Sequence, residues 1–435
     1  MTDAALEATD AAVGRSALRK AAWRLLPLLA VGYCIAYMDR ANISFASLQM
    51  NIDLHFSAAV YGLGAGLFFL SYAALELPSN LALVRFGARR WIARIMITWG
   101  VLAVGMMFVE TPFQFYVMRF LLGAAESGFF PGVIFYLTQW FPSESRATAV
   151  SRFYIAYPLS TVIMGALAGW LLGLRGTLGL AGWQWLFLIE GTPAIVLSLV
   201  FLILLPDSPA TAKWLTPPER DWITGRLSAE QAARGPADHS LAATFVNPAV
   251  WLLGLASFCI QFTAYALNLS APAILQEATH LSAGRIGGVI SIIALMGVGA
   301  MLLTARSSDR AQERIWHAVV PQGLIVMGFL VCGLVAGPWA LVGAYAVIAT
   351  CQYAVQCPVW AIPGDLLSGR SAAAAVAAIG AISMTGGFLG PYAFGLVRQA
   401  TGDYSHGLLM LAVPSLLAGL IILLLRRRGP ATNAG

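Results

Sequence analysis

Charge is scarce in this chain. Of its 435 residues only 11% are Asp, Glu, Lys or Arg, against 59% hydrophobic, and the mean hydropathy is +0.76. A soluble domain is about one quarter charged and about half apolar, so the composition excludes an ordinary one. Cysteine is scarce too: Cys34, Cys259, Cys332, Cys351 and Cys357 all lie in apolar runs, with no CxxC and no Cys/His cluster at metal spacing. They read as small core residues rather than a disulfide framework or a metal site. None of the histidines (His55, His239, His280, His317, His406) lies deep in an apolar run, so protons crossing the interior must ride on carboxylates. No nucleophile has a base at usable spacing and no phosphate motif is present, which argues against an enzyme. The first twenty residues carry Asp3, Glu7 and Asp10 and no short apolar h-region, so no cleaved signal peptide is expected. The sequons at Asn42 and Asn268 fall in predicted helices and read as chance matches.

Long apolar runs are what the chain has in quantity. Stretches long enough to cross about 30 Å of hydrocarbon run near 22–48, 58–83, 91–109, 113–141, 147–173, 183–205, 248–275, 284–305, 315–336, 339–363, 371–398 and 406–425. With both termini placed in the cytoplasm, 21 of the 26 Lys and Arg fall in inside loops and 3 (Arg175, Arg285, Arg398) outside. That asymmetry predicts cytoplasmic termini and accounts for the net charge of +6 without nucleic acid. Pro206 to Thr244 is the longest polar stretch. It divides the chain into an N-terminal six-helix bundle (1–205), a cytoplasmic linker (206–245) and a C-terminal six-helix bundle (246–435). Within the linker, Thr216-Pro217-Pro218-Glu219 has the capping grammar of a helix start, predicting a short amphipathic helix from Glu219 to about Ala232. At an offset of 225, Arg85, Arg89 and Trp91 fall on Arg310, Arg314 and Trp316, and Arg146 lies close to the match of Arg370, so a repeated six-helix unit is the economical reading.

Against this background four charges stand out. Asp39 and Arg40 interrupt the first span, Arg119 and Glu126 the fourth. Charges at membrane depth are costly unless they pair or face a watery cavity, so they mark substrate or proton pathways. Arg119 and Glu126, two turns apart, share one helix face at about 10 Å. The alternative is a closed ion-pair network that staples the first and fourth helices. A planar guanidinium suits a carboxylate ligand. Glu76 and Glu190 read instead as satisfying backbone or loop donors, and Asp365 lies at the end of the tenth span. Tyr33, Tyr37, Arg40 and Ser44 share one face of the first span; Tyr72, Tyr154 or Tyr157 could close a cavity beside it. The second half offers neutral stripes, Gln261, Tyr265 and Asn268, and Gln352, Gln356 and Trp360, suited to substrate hydroxyls or rings or to interhelical hydrogen bonds. Gly165, Gly169 and Gly173 read as a close-packing stripe.

Two sets of motifs carry a resemblance. The loop from Asn80 through Arg85, Gly87, Arg89 and Arg90, and its counterpart Ala305, Asp309, Arg310, Gln312 and Arg314, resemble the basic signature GxxxDRxGRR of the major facilitator superfamily. Asn80 and Val84 replace Gly and Asp in the first copy; Ala305 and Gln312 replace glycines in the second. The resemblance implies a cytoplasmic latch at Arg85, Arg89, Asp309 and Arg310. Tyr37-Met38-Asp39-Arg40-Ala41-Asn42, Glu76-Leu77-Pro78-Ser79-Asn80, Gly87 to Met96, Arg119 to Gly123, Glu126-x-Gly128-Phe129-Phe130-Pro131-Gly132 and Lys213-Trp214-Leu215-Thr216 resemble the anion:cation symporter family, near its tartrate- and phthalate-type permeases. That likeness implies an all-α membrane protein, twelve transmembrane helices in two bundles of major facilitator fold. It also implies proton uptake at Asp39 and Glu126 and carboxylate binding at Arg40 and Arg119.

The sequence therefore leads to a proton-coupled importer of a small organic anion working by alternating access. It would be a multi-pass plasma membrane protein, a bacterial inner-membrane one, with the proton as coupling ion and no cofactor or metal. Its partners are the substrate and the lipid bilayer, and a monomer is expected. The expected binding residues are Arg40, Arg119, Tyr37, Tyr72, Tyr157, Tyr265, Asn268 and Trp360. A hydroxy-dicarboxylate such as tartrate leads; the alternatives are an aromatic carboxylate of phthalate or hydroxyphenylacetate type, an anion uniporter or exchanger, or a non-transporting sensor.

Overall fold

The computed structural model describes residues 3–234, 247–335, 337–366 and 372–426, which contain helices and no strand. Arg370 and the linker residues 235–245 lie outside them, and so does the side chain of Asp365. Eleven helical stretches of the described residues, two of them broken once, are long and apolar enough to cross a membrane. The remaining predicted span, 371–398, coincides with a thirty-residue helix, Ala372–Thr401.

The first half begins with α1 (Asp3–Asp53). At 1.5 Å per residue its 51 residues reach about 75 Å, far beyond the hydrocarbon thickness, so the polar N-terminal segment continues the first span as a helix instead of preceding it. Next come α2 (Ala58–Phe86) and α3 (Ala88–Gly105), joined at Gly87, whose φ of +85° only glycine adopts without strain. The predicted fourth span is two helices, α4 (Pro112–Glu126) and α5 (Phe129–Thr138). The fifth is α6 (Ser143–Tyr154) and α7 (Ala156–Gly173), interrupted at Ile155, where Pro158 cannot donate to the Tyr154 carbonyl. The half ends with α8 (Gly182–Leu204).

A helix α9 (Pro217–Arg234) follows. The Thr216 N–H donates to Glu219 Oε2 at 2.9 Å. Side chains tie it to the first half: Ser16 and Lys20 donate to Glu219, Trp222 to Asp10, and Arg146 to Glu230.

The second half comprises α10 (Pro248–Thr279), α11 (Ala283–Ala311), α12 (Ile315–Leu334), α13 (Pro338–Leu366), α14 (Ala372–Thr401) and α15 (Ser405–Leu425). The halves meet along two seams at the end away from the basic loops. In one, α2 lies against α14, where a Cβ on Gly62 would sit 2.4 Å from the Pro391 carbonyl oxygen. In the other, α7 lies against α11, where a Cβ on Gly169 would sit 2.1 Å from Gly284 Cα. Tyr61 adds a hydrogen bond to the Leu269 carbonyl at 2.7 Å. These contacts seal that end, and a central cavity lies on the basic-loop side of the seal.

Asp207 Oδ1 accepts the Arg89 backbone N–H at the start of α3 (3.3 Å), and Asp309 pairs with Arg314. The Arg85 guanidinium rests 5.6 Å over Phe86.

Candidate functional site

The fourth span breaks where its chemistry sits. Glu126 is the last residue of α4; Ser127 leaves the helix and Gly128 turns through the left-handed region with φ +85°. A Cβ there would meet Ser79 Oγ at 2.3 Å, so glycine is required twice over. Ser79 of α2 donates to the freed Ser127 carbonyl (2.8 Å) and accepts from Trp91 Nε1 of α3 (3.1 Å). Irregular backbone at membrane depth persists only where protein or a cavity satisfies it, and here two neighbouring helices do so.

All four expected charges converge. Asp39, Arg119 and Glu126 are 0% exposed and Arg40 is 8% exposed. Arg40 donates to Glu126 Oε1 through Nε (2.7 Å) and Nη2 (2.6 Å). Its guanidinium also lies 4.9 Å over Tyr37 and 4.8 Å over Tyr72, the aromatic faces replacing part of the lost hydration. Asp39 and Arg119 interact electrostatically but form no ion pair within 4 Å. Asp39 Oδ1 accepts only from Asn42 (3.2 Å), its Oδ2 is unpartnered, and Arg119 Nε and Nη1 are unpartnered as well. One pair is closed, linking α1 to α4, and the other is open, so the four charges do not form a single closed network.

The central cavity encloses about 760 Å³ including its mouth. Its walls hold Tyr37, Arg40, Tyr157, Tyr265 and Asn268 from the expected set. Arg40 is the one cation lining it among the described residues. The other expected residues lie elsewhere. Arg119 is one layer behind, under Phe68 at 4.9 Å; Tyr72 touches Arg40 from outside the cavity wall; Trp360, 42% exposed, lines a separate cleft with Gln261 and Gln356. Tyr33 and Tyr154 form a supporting aromatic cluster with Phe130 and Phe153. Glu76 is half-buried on α2 and feels the charge of Arg40.

Three polar lining residues that the sequence reading did not single out are Thr161, Tyr345 and Tyr353. Tyr353 donates to Thr161 Oγ1 across the two halves at 3.1 Å. The signal for them was available, since Tyr345, Ala349 and Tyr353 repeat at i, i+4, i+8 on the tenth span.

With this geometry in place, comparison with known proteins finds the following. Residues 29–391 match the family model described as Major Facilitator Superfamily. A protein of Agrobacterium vitis that carries the provisional name of tartrate transporter is 43% identical over 416 residues, covering 95% of this chain and 92% of that one. A quinolone resistance transporter of Acinetobacter baumannii is 38% identical, covering 94% of each. The crystal structure of a bacterial homologue of the human lysosomal transporter Spinster, inward-facing and occupied, superposes with a TM-score of 0.78 at 18% identity, covering 94% of this chain and 98% of that one.

Proposed function

The chain belongs to the Major Facilitator Superfamily and is an integral, multi-pass membrane transporter of a small molecule, not an enzyme; from that premise we propose that it is a proton-coupled symporter importing a small hydroxy-dicarboxylate of the tartrate type. The observation that carries this reading is the closed Arg40–Glu126 pair on the cavity wall beside the open Asp39/Arg119 pair.

While Glu126 is charged it neutralises Arg40 and occupies two of its N–H donors, so a substrate carboxylate must compete with it. Protonation of Glu126 removes the competing charge and frees two N–H donors into the cavity. Protonation of Asp39 likewise leaves Arg119 as an unopposed positive field one layer behind. The substrate anion then neutralises the site, so the halves can rock about it without carrying a naked charge across hydrocarbon. Loss of the protons on the other side lets both carboxylates reclaim their arginines and expels the substrate. The tyrosine hydroxyls, Thr161 and Asn268 supply partners for the substrate's own hydroxyls. The 43% identity to the Agrobacterium vitis protein supports tartrate as the first acid to test.

A second reading has its own observation. Tyr37, Tyr157, Tyr265, Tyr345 and Tyr353 surround a single cation, an arrangement that also suits an aromatic monocarboxylate.

The test is uptake of labelled tartrate, phthalate and 4-hydroxyphenylacetate into proteoliposomes with the outside acidified and the membrane potential clamped. Uphill accumulation of tartrate that a protonophore collapses is expected. Accumulation of an aromatic acid instead selects the second reading, and equilibration without accumulation reduces the protein to a uniporter. Glu126→Gln is expected to abolish pH-driven accumulation; retention would remove Glu126 as a coupling site.

A further inference from the structure

One buried carboxyl stands outside this scheme. Glu190 of α8 is 3% exposed, yet neither of its oxygens has a hydrogen-bond partner, so it does not satisfy backbone or loop donors as its sequence context suggested. Two contacts fix the register of α8 against antiparallel α1. A Cβ on Gly32 would meet Phe201 at 3.2 Å, and one on Gly182 would meet Gln49 Oε1 at 2.5 Å. Interpolating between them sets Glu190 opposite Asn42, one turn from Asp39; it feels the charge of Asp39, and the Asn42 amide is its one nearby donor, outside hydrogen-bond distance in this structure.

Four acceptor oxygens without donors therefore gather in one buried spot: both of Glu190, Asp39 Oδ2 and Asn42 Oδ1. Among the described residues, no cation faces Glu190 from the elements packed on it. On α3 the residues at its level are Gly100 and Val104, which abut Gly191, while Arg94 lies more than a turn nearer the basic end. Between Ala156 and Gly173, α7 carries no titratable side chain except Tyr157. On α1 the titratable neighbour is Asp39 itself, with Arg119 and Glu126 of α4 beyond it. A lone buried anion is costly, and each orphaned acceptor adds a desolvation penalty. A proton on Glu190 removes the charge and supplies the missing donor together.

We propose that Glu190 keeps its proton throughout the transport cycle and donates it as a hydrogen bond into the Asp39–Asn42 pair, making it the positioning residue of the coupling carboxylate. The proposal rests on the reading of Asp39 as a proton-coupling site. When Asp39 gives up its proton, the Glu190 O–H and the Asn42 N–H hold the resulting carboxylate in place for Arg119.

Infrared spectra of the full-length protein across a pH titration test the proton directly, whether or not the transport reading holds. A carboxylic-acid carbonyl band that persists at alkaline pH and disappears in Glu190→Gln is expected. Its absence from the wild type, or its survival in that variant, overturns the proposal. Uptake tests the coupling. Glu190→Gln, neutral and still a donor, is expected to keep the wild-type pH profile, whereas Glu190→Leu moves the half-maximal pH of uptake upward by about one unit. A wild-type profile in Glu190→Leu, or lost accumulation with intact exchange in Glu190→Gln, overturns it. If Glu190→Leu does not fold, the infrared comparison with Glu190→Gln decides alone.

Discussion

At the scale of single residues, Arg40 shows why a lysine would not serve. Both of its contacting nitrogens reach one oxygen of Glu126, and its flat face lies against Tyr37 and Tyr72. A lysine keeps the charge but replaces the planar two-nitrogen fork with a single nitrogen and loses the stacking geometry. Arg40→Lys is therefore expected to raise the KM for substrate uptake about tenfold, the equivalent of about 1.4 kcal/mol, while leaving the protein in the membrane at wild-type abundance. Initial-rate uptake with parallel quantification of the protein checks both. The four charges were legible in the sequence because any charge in an apolar run is an outlier. Their pairing was not: spacing puts Arg119 and Glu126 on one helix face, yet Glu126 turns to Arg40 of another helix. Tyr345 and Tyr353 were passed over for a different reason. A tyrosine in a membrane helix packs against protein or lipid as readily as it lines a cavity, and only the position of the helix tells which.

At the scale of elements, the start of α9 is held by one carboxylate. Burial works against a charged Glu219, but the Lys20 ammonium, the Thr216 N–H and the Ser16 hydroxyl outweigh it and hold the carboxyl at about 2, below its ordinary 4.5. Because the docked value is depressed, the stabilisation is fully present above the ordinary value and is lost as pH falls from there through about 2. Docking of α9 on the start of α1 is thus expected to survive mild acid unchanged and to weaken only in that window. Fluorescence of Trp222, which bonds to Asp10 and sits against Gly14, reports it. Glu219→Gln is expected to undock α9 at neutral pH; unchanged fluorescence and unchanged protease resistance of residues 3–20 would contradict this. The helix start was readable from Thr216-Pro217-Pro218-Glu219, since capping is local chemistry. The break after Glu126 was not, because the apolar run continues through it. Gly128 and Pro131 were the available hints, and the need for glycine becomes visible only once Ser79 of another helix is seen pressing on that turn.

At the scale of the whole molecule, the seal between the halves depends on the absence of side chains. The stripe Gly165, Gly169, Gly173 was readable as a packing face, and the structure divides it. A Cβ on Gly165 would lie 2.4 Å from Ser291 Oγ and 2.6 Å from the Gly287 carbonyl oxygen, and Gly169 meets Gly284, whereas nothing lies within 4 Å of Gly173. A helical repeat of four reads the same at all three positions; where the partner helix ends does not appear in that repeat. Backbone atoms such as Gly284 Cα and N cannot move aside as flexible side-chain ends do, so Gly169→Leu must push α7 away from α11 and disfavour the sealed arrangement. In the proposed alternating-access cycle that arrangement forms once per turnover, so its loss slows transport without touching any residue of the cavity wall. Gly169→Leu is therefore expected to lower uptake at least tenfold and to lengthen the distance between spin labels placed at Leu174 and Ser282, beside the seam, while Gly173→Leu leaves both at wild-type values. Equal behaviour of the two variants would mean that the seam does not gate transport.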